Sequence, residues 1–191
     1  MNLMEEAICF AVRAHAGTLR KDGETPYILH PMEAAAICGT LTADEAVLAA
    51  AVLHDTVEDT DVTPSEIRAR FGERVAALVA SETEDKYPQL PPEVSWQQRK
   101  AESLRELAAT DDVGVKILWL GDKLSNMRSF YRQWQTEGPA MWKRYHQQDP
   151  ARQAWYYRSI AKALKELKDT PAWQEYHFLT EAVFGEVRPD E

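Results

Sequence analysis

Residues 46–59 read Ala-Val-Leu-Ala-Ala-Ala-Val-Leu-His-Asp-Thr-Val-Glu-Asp. Residues 46–53 are apolar on every face of a helix, which marks a segment buried on all sides. The chain then places His54, Asp55, Glu58 and Asp59 at its end. On a continuous helix His54 and Glu58 share one face, and Asp55 and Asp59 share the next. Unpaired buried charge costs several kcal/mol or titrates away. An imidazole among three acids is tolerable if a divalent cation sits between them. The plainer alternative is that the helix ends at His54 and the acids face water.

Outward from this stretch the chain reads as all-helical. Strict two-residue alternation is absent over any useful length, so strand signals are scarce. Residues 3–16 set Leu3, Ala7, Phe10, Ala11 and Ala14 on one face, and Gly17 stops the segment. Pro31 is expected to open a helix that ends near Gly39, and Thr42 to cap a long helix from about Ala43 to Val57. Thr63-Pro64-Ser65-Glu66 is a capping box with proline at the first helical position, and Phe71-Gly72 closes that helix. Another helix follows from Glu73 to about Thr83, with Val75, Leu78 and Val79 inward. Residues 84–94, with Pro88, Pro91 and Pro92, form an expected loop and a candidate lid or rim. Ser95 and Gln98 look like a second capping box for a helix to about Ala109. Further helices are expected from Val113 to about Trp134, from Asp149-Pro150 to about Lys168, and from Thr170-Pro171 onward. The expected architecture is a single multi-helix bundle over residues 1–191, with helices at about 140–185 completing the pocket.

Composition narrows the classes. The 191 residues are 45% hydrophobic and 28% charged, as in an ordinary globular domain. The formal net charge of −9 argues against a broad nucleic-acid-binding face. No apolar run approaches the ~18 residues of a membrane span, and the N-terminus lacks the basic region of a secretory signal. Cys9 and Cys38 read as buried small hydrophobes in a reducing, cytoplasmic compartment. Oligomeric state is not encoded in any legible feature; Trp134, Trp142, Trp155 and Trp173 suit either core packing or a contact surface.

Two more segments complete a candidate centre. Val115 to Leu120 is apolar, then Asp122 interrupts it, with Asn126 one turn later. His30 stands in Pro26-Tyr27-Ile28-Leu29-His30-Pro31. Two imidazoles and two carboxylates form a mixed N/O donor set that suits Mn²⁺, Fe²⁺ or Zn²⁺ better than an all-oxygen or thiolate site. Such a set leaves coordination positions open for water and substrate. His15 has a weaker claim, and His146 and His177 sit in bland contexts.

Taken together, these stretches resemble the HD-domain phosphohydrolases, and within them the (p)ppGpp hydrolase domain of the RelA/SpoT family. The likeness is closest to the small stand-alone alarmone hydrolases of the metazoan SpoT-homologue type. It rests on Ala14-His15-Ala16-Gly17, Arg20-Lys21-Asp22-Gly23, Pro26 to Pro31, Leu53 to Thr60, Phe71-Gly72 and Gly121 to Arg128, in the family's order over about residues 5–130. The resemblance implies that His30, His54, Asp55 and Asp122 ligate one divalent metal, usually Mn²⁺. It implies that Glu58 and Asp59 handle the attacking water, that Arg20 and Lys21 meet the nucleotide, and that Asn126 contacts its sugar or phosphates. Tyr27 is expected to be structural. Lys123 and Arg128 are expected either to raise the local potential or to lie on a solvated helix face. The implied activity is removal of pyrophosphate from the 3′ position of ppGpp or pppGpp. Other nucleotides (an adenosine alarmone, NADPH, a nucleoside monophosphate) and a non-catalytic nucleotide-binding role remain open. The family usually has Leu-Ala-Asp where this chain has Leu120-Gly121-Asp122; a helical glycine costs ~1 kcal/mol against alanine and is expected to widen the site. Residues 131–160 match poorly, so Arg152, Tyr156, Tyr157 and Arg158 are candidates only for the phosphate end. These 191 residues leave no room for a synthetase domain.

Overall fold

The computed structural model describes residues 2–84, 87 and 89–185. Among them the structure is all-α, with a lone β-bridge between Leu19 and Pro26. The chain divides into two compact units, Met1–Thr83 with Asp111–Ser125, and Glu84–Thr110 with Asn126–Glu191.

The first unit is built around one buried helix. Helices α1 (Leu3–Ala14), α2 (Leu29–Cys38), α3 (Glu45–Leu53), α4 (Thr56–Asp59), α5 (Pro64–Phe71) and α6 (Glu73–Ala80) follow in order. α3 packs against α1, α2 and α6. Ala49 to Leu53 are completely buried, as the all-round apolar run requires. Asn2 with Glu5 and Thr63 with Glu66 form reciprocal capping boxes for α1 and α5, so two helix starts are fixed by side chains. Gly17 and Gly72 stand at φ +77° and +87°, where a β-carbon would be strained, and each follows the end of a helix. Val75, Leu78 and Val79 of α6 are buried as expected. Cys38 is buried, whereas Cys9 is only half-buried because helical spacing sets it across α1 from the buried Ala7 and Ala11.

Several boundaries differ from the sequence expectation. Asp44, not Thr42, caps α3: its Oδ1 accepts from the Ala46 amide at 2.9 Å. The expected helix from Ala43 to Val57 is two helices, broken at His54-Asp55. The break has a chemical cause. His54 Nδ1 takes the Ala51 carbonyl at 2.8 Å, and the Thr56 hydroxyl donates to the Leu53 carbonyl at 2.6 Å. Both carbonyls would otherwise serve helical amides, so side chains displace the backbone ladder. α2 begins two residues before Pro31, which the first turn tolerates because its amide would be unbonded anyway.

The second unit holds α7 (Pro92–Ala109), the later part of α8 (Val113–Glu137), a 3-10 segment Gly138–Arg144, α9 (Pro150–Ala163) and α10 (Pro171–Phe184). α9 packs against α7 and α10. Asp149 and Thr170 cap α9 and α10, each with proline at the first helical position. α9 ends five residues before Lys168, giving way to a short 3-10 turn. α7 starts at Pro92 rather than Ser95: Pro91 is extended, as a residue before proline prefers, and Pro92 opens the helix. Ser95 is buried within the first turn and is no cap. Of the expected loop 84–94, residues 85, 86 and 88 lie outside the described residues. Phe130, Trp142, Tyr145, Tyr157 and Phe184 make an aromatic core with centroids 5.0–6.0 Å apart. Trp142 is thus core, while Trp155 is 37% exposed.

Candidate metal and phosphohydrolase centre

The first unit brings together residues from three separate stretches. α2 carries His30 in its first turn, the α3–α4 break carries His54 and Asp55, and α8 carries Asp122. Ligand atoms of His30, His54 and Asp122 all lie within 4.8 Å of one another, and all three residues are buried. His30 Nε2 is 3.0 Å from Asp122 Oδ1 and 3.5 Å from Asp55 Oδ2. His54 Nε2 is 3.1 Å from Asp55 Oδ2 and 3.6 Å from Asp122 Oδ1. The two rings meet edge to face, 5.2 Å apart.

The fit to a cation follows from atoms left without directed partners. His54 Nε2 is buried and makes no hydrogen bond, despite the carboxylates around it. A buried nitrogen of this kind is costly unless something else binds it. The electrostatics agree. Burial opposes ionisation of Asp122, yet the Lys123 ammonium and the two imidazoles hold its carboxyl well below the ordinary range. Burial likewise opposes the charge on Asp55, and the facing His54 and His30 rings override it and lower its pKa. His54 is disfavoured as a cation by burial, but Asp55 and Asp122 raise it well above its usual value. His30 goes the other way, since burial outweighs Asp122 and lowers it. Two concentrated carboxylates and two rings competing for one proton are the environment a divalent ion resolves. Lys123 contacts Asp122 Oδ2 and rests over the Trp119 ring, 4.8 Å from its centroid.

Around this cluster stand the other expected residues. Asp59 is exposed and Glu58 half-buried, both on α4. The Tyr27 hydroxyl lies 2.7 Å from Asp55 Oδ2 and 2.9 Å from Asp59 Oδ2. Tyr27 therefore touches both carboxylates. Burial, with Asp55 and Asp59, raises its pKa, so the phenol keeps its proton. Its ring stacks on His15 at 4.8 Å, and the Arg20 guanidinium lies over it at 5.5 Å. Arg20 and exposed Lys21 sit in a tight turn held by Arg20 N–H to the Thr25 carbonyl at 2.8 Å, with Gly23 at φ +80°. His15 is buried, makes no hydrogen bond from either nitrogen, and burial lowers its pKa. Asn126 follows Asp122 by one turn on α8 and begins the second unit. An open cavity of about 490 Å³, lined by Ala14, Thr18, Asp59, Thr60, Asp61, Val62 and Glu66, adjoins Asp59. Its acidic wall is unsuited to a polyphosphate.

Other candidates are otherwise occupied. Arg128 forms a bidentate pair with Glu175 at 2.6 and 2.7 Å. Arg158 binds Glu181 at 3.1 Å and the Phe184 carbonyl at 3.0 Å. Gly121 does not widen the site. A β-carbon there would lie 2.8 Å from the Ala34 carbonyl and 2.5 Å from Cys38 Sγ, so the glycine lets α8 approach the α2 backbone.

Sequence reasoning missed three residues. Ser125 Oγ sits 2.9 Å from His30 Nδ1 and donates to Glu33 Oε2 at 2.7 Å. Each lies three positions beyond a candidate ligand on its own helix, a spacing that could have flagged both. Glu82 is buried, neither carboxylate oxygen has a hydrogen-bond partner, and burial pushes its pKa up to about 8. Nothing in Ser81-Glu82-Thr83-Glu84 distinguishes it from a solvated acid.

The chain matches the HD-domain family over residues 7–147 and belongs to that family. Among its relatives, a probable guanosine-3′,5′-bis(diphosphate) 3′-pyrophosphohydrolase from Synechocystis is 42% identical over 129 residues, 66% of this chain and 16% of that one. A guanosine-3′,5′-bis(diphosphate) 3′-pyrophosphohydrolase from Aquifex aeolicus is 39% identical over 130 residues, 67% of this chain and 18% of that one. The chain thus spans less than a fifth of the length of these relatives. Two solved structures are similar over nearly their whole length. The protein lmo0812 from Listeria monocytogenes EGD-e has a TM-score of 0.71 and 33% identity, covering 82% of this chain and 99% of that one. A metazoan ortholog of SpoT, described as hydrolysing ppGpp, has a TM-score of 0.72 and 25% identity, covering 100% of this chain and 98% of that one.

Proposed function

We propose that this chain is a metal-dependent hydrolase that removes pyrophosphate from the 3′ position of ppGpp and pppGpp, leaving GDP or GTP. The observation that carries this reading is the convergence of His30, His54 and Asp122 within 4.8 Å, with Asp55 beside both imidazoles. The names of the relatives and of the metazoan structural neighbour support the substrate class.

His30, His54, Asp55 and Asp122 would hold one divalent ion, with Mn²⁺ first among Mn²⁺, Fe²⁺ and Zn²⁺ for this N/O donor set. Such an ion supplies Lewis acidity, making water a better nucleophile near neutral pH and polarising a phosphoryl oxygen. Asp59 is the group in this chain to accept the proton of the attacking water, because its carboxylate is exposed and oriented by Tyr27. Glu58, one residue before it on α4, shares that acidic edge and helps orient the water. Tyr27, held in its neutral form, shares its one hydroxyl proton between the Asp55 and Asp59 carboxylates and cannot compete as a base. Arg20 offers a planar cation over Tyr27 for a base or phosphate, and Lys21 an exposed point charge. Asn126, one turn beyond Asp122, supplies a donor and an acceptor for ribose or phosphate oxygens. No helix among the described residues is long and apolar enough to cross a membrane, and a cytoplasmic nucleotide is the substrate this reading requires.

The test is a product assay with Mn²⁺ on ppGpp, pppGpp, their adenosine counterparts, NADPH and nucleoside monophosphates, resolved by ion-exchange chromatography. The expected products are pyrophosphate with GDP or GTP. Inertness toward every alarmone, or free phosphate released from another nucleotide instead, contradicts the proposal.

A further inference from the structure

Both imidazoles of the centre face the carboxylates through Nε2, so what happens at Nδ1 decides which nitrogen carries the ring proton. For His54 the answer lies in the backbone. Its Nδ1 is 2.8 Å from the Ala51 carbonyl, which only accepts, so Nδ1 holds a proton and Nε2 is the nitrogen left to face a cation.

His30 has no carbonyl at that position. Its Nδ1 lies 2.9 Å from Ser125 Oγ, in buried surroundings. A hydroxyl can donate or accept, so serine alone leaves the tautomer open. Glu33 closes the question. Its Oε2 is 2.7 Å from Ser125 Oγ, and a carboxylate only accepts. The single hydroxyl proton is therefore spent on Glu33, and Ser125 Oγ can only accept from His30 Nδ1–H. With its proton fixed at Nδ1, the ring can offer only its Nε2 lone pair to an ion between it and Asp122 Oδ1 at 3.0 Å and Asp55 Oδ2 at 3.5 Å. A lone pair facing two anionic oxygens is unfavourable by itself and favourable around a cation.

We propose that Glu33 and Ser125 are positioning residues that lock His30 in its Nδ1–H tautomer and thereby keep Nε2 available to a divalent cation. The geometry stands on its own, while the purpose rests on the metal reading of the site. The relay runs from α2 to α8 and back to α2, so it also fixes the ring plane of His30 relative to Asp122. Two ligands are thus oriented by different means, one by a main-chain carbonyl and one by a pair of side chains that mutation can remove.

The experiment uses the full chain with ¹⁵N-labelled histidine, in wild type and in Ser125→Ala, Glu33→Ala and Glu33→Gln. Long-range ¹H–¹⁵N spectra of the metal-free protein read the tautomer of each ring, and titration with Mn²⁺ alone reads affinity. The wild type is expected to show His30 and His54 both protonated at Nδ1. In Ser125→Ala and Glu33→Ala, His30 Nδ1 loses its fixed proton while His54 Nδ1 keeps its own. Mn²⁺ affinity falls about 10–100-fold, the range typical for lost partners of metal-bound histidine. Glu33→Gln keeps an acceptor oxygen and recovers most of that affinity. An unchanged His30 tautomer with unchanged affinity in both alanine variants overturns the relay. Should Ser125→Ala fail to fold, half-buried Glu33 carries the same test. A wild-type chain that takes up no Mn²⁺ overturns the metal reading, and the imidazole spectra still decide the relay.

Discussion

Glu82 is a charge the fold resists. Burial raises its pKa from 4.5 to about 8, against the opposing pull of Lys123. Between those values the folded chain retains a proton that the unfolded chain has released. Stability contributed by this group is full below the unfolded pKa and is lost as pH rises through the folded one. The metal-free protein is therefore expected to weaken as pH climbs from about 5 to 8, and Glu82→Gln to flatten that slope in urea melts across the range. An unchanged slope in the variant argues against a buried, protonated Glu82. A second contrast separates binding from turnover. Asp55→Ala should lose Mn²⁺, since Asp55 Oδ2 flanks both imidazoles. Asp59→Ala should keep the ion and lose most activity, since it removes the proposed general base, worth ~10²–10⁴-fold. Calorimetric titration beside the product assay reads both; equal metal affinity in wild type and Asp55→Ala contradicts the ligand assignment. At this scale the sequence was informative where a charged residue interrupts an apolar run, as at His54 and Asp122. It was silent where a buried acid sits among other acids, as at Glu82, because burial of that kind is decided by neighbours distant in the chain.

Among the elements, α2 and α8 approach each other closely at Gly121. Replacing Gly121 by alanine would gain ~1 kcal/mol of helix propensity. It would also drive a β-carbon to 2.8 Å from the Ala34 carbonyl, a backbone atom that cannot rotate away. Overpacking of this sort costs about 1–3 kcal/mol, so Gly121→Ala is expected to lower Tm and, by moving α2 against α8, to weaken Mn²⁺ binding. A variant more stable than wild type would show that the helices have room to spare. Helix starts were largely legible: Thr63-Pro64-Ser65-Glu66, Asp149-Pro150 and Thr170-Pro171 all mark real boundaries, because their capping chemistry is local. The break at His54-Asp55 was not legible. It depends on His54 and Thr56 side chains taking carbonyls from the helix, a competition that pattern alone does not decide.

For the whole molecule, a formal charge of −9 repels an anionic nucleotide at a distance. On the proposed reading, capture would depend on local cations such as Arg20 and Lys21 and on the ion itself. On the proposed reading, side chains far apart in the chain hold one divalent ion in the first unit. The direct measurement is elemental analysis of the full chain after equilibration with Mn²⁺ and desalting, in wild type, His30→Ala and Asp122→Ala, with circular dichroism confirming that each is folded. The expected result is about one Mn²⁺ per wild-type chain and next to none in either folded variant, as for a site that loses a ligand. Equal occupancy in all three, or an empty wild type, would contradict it.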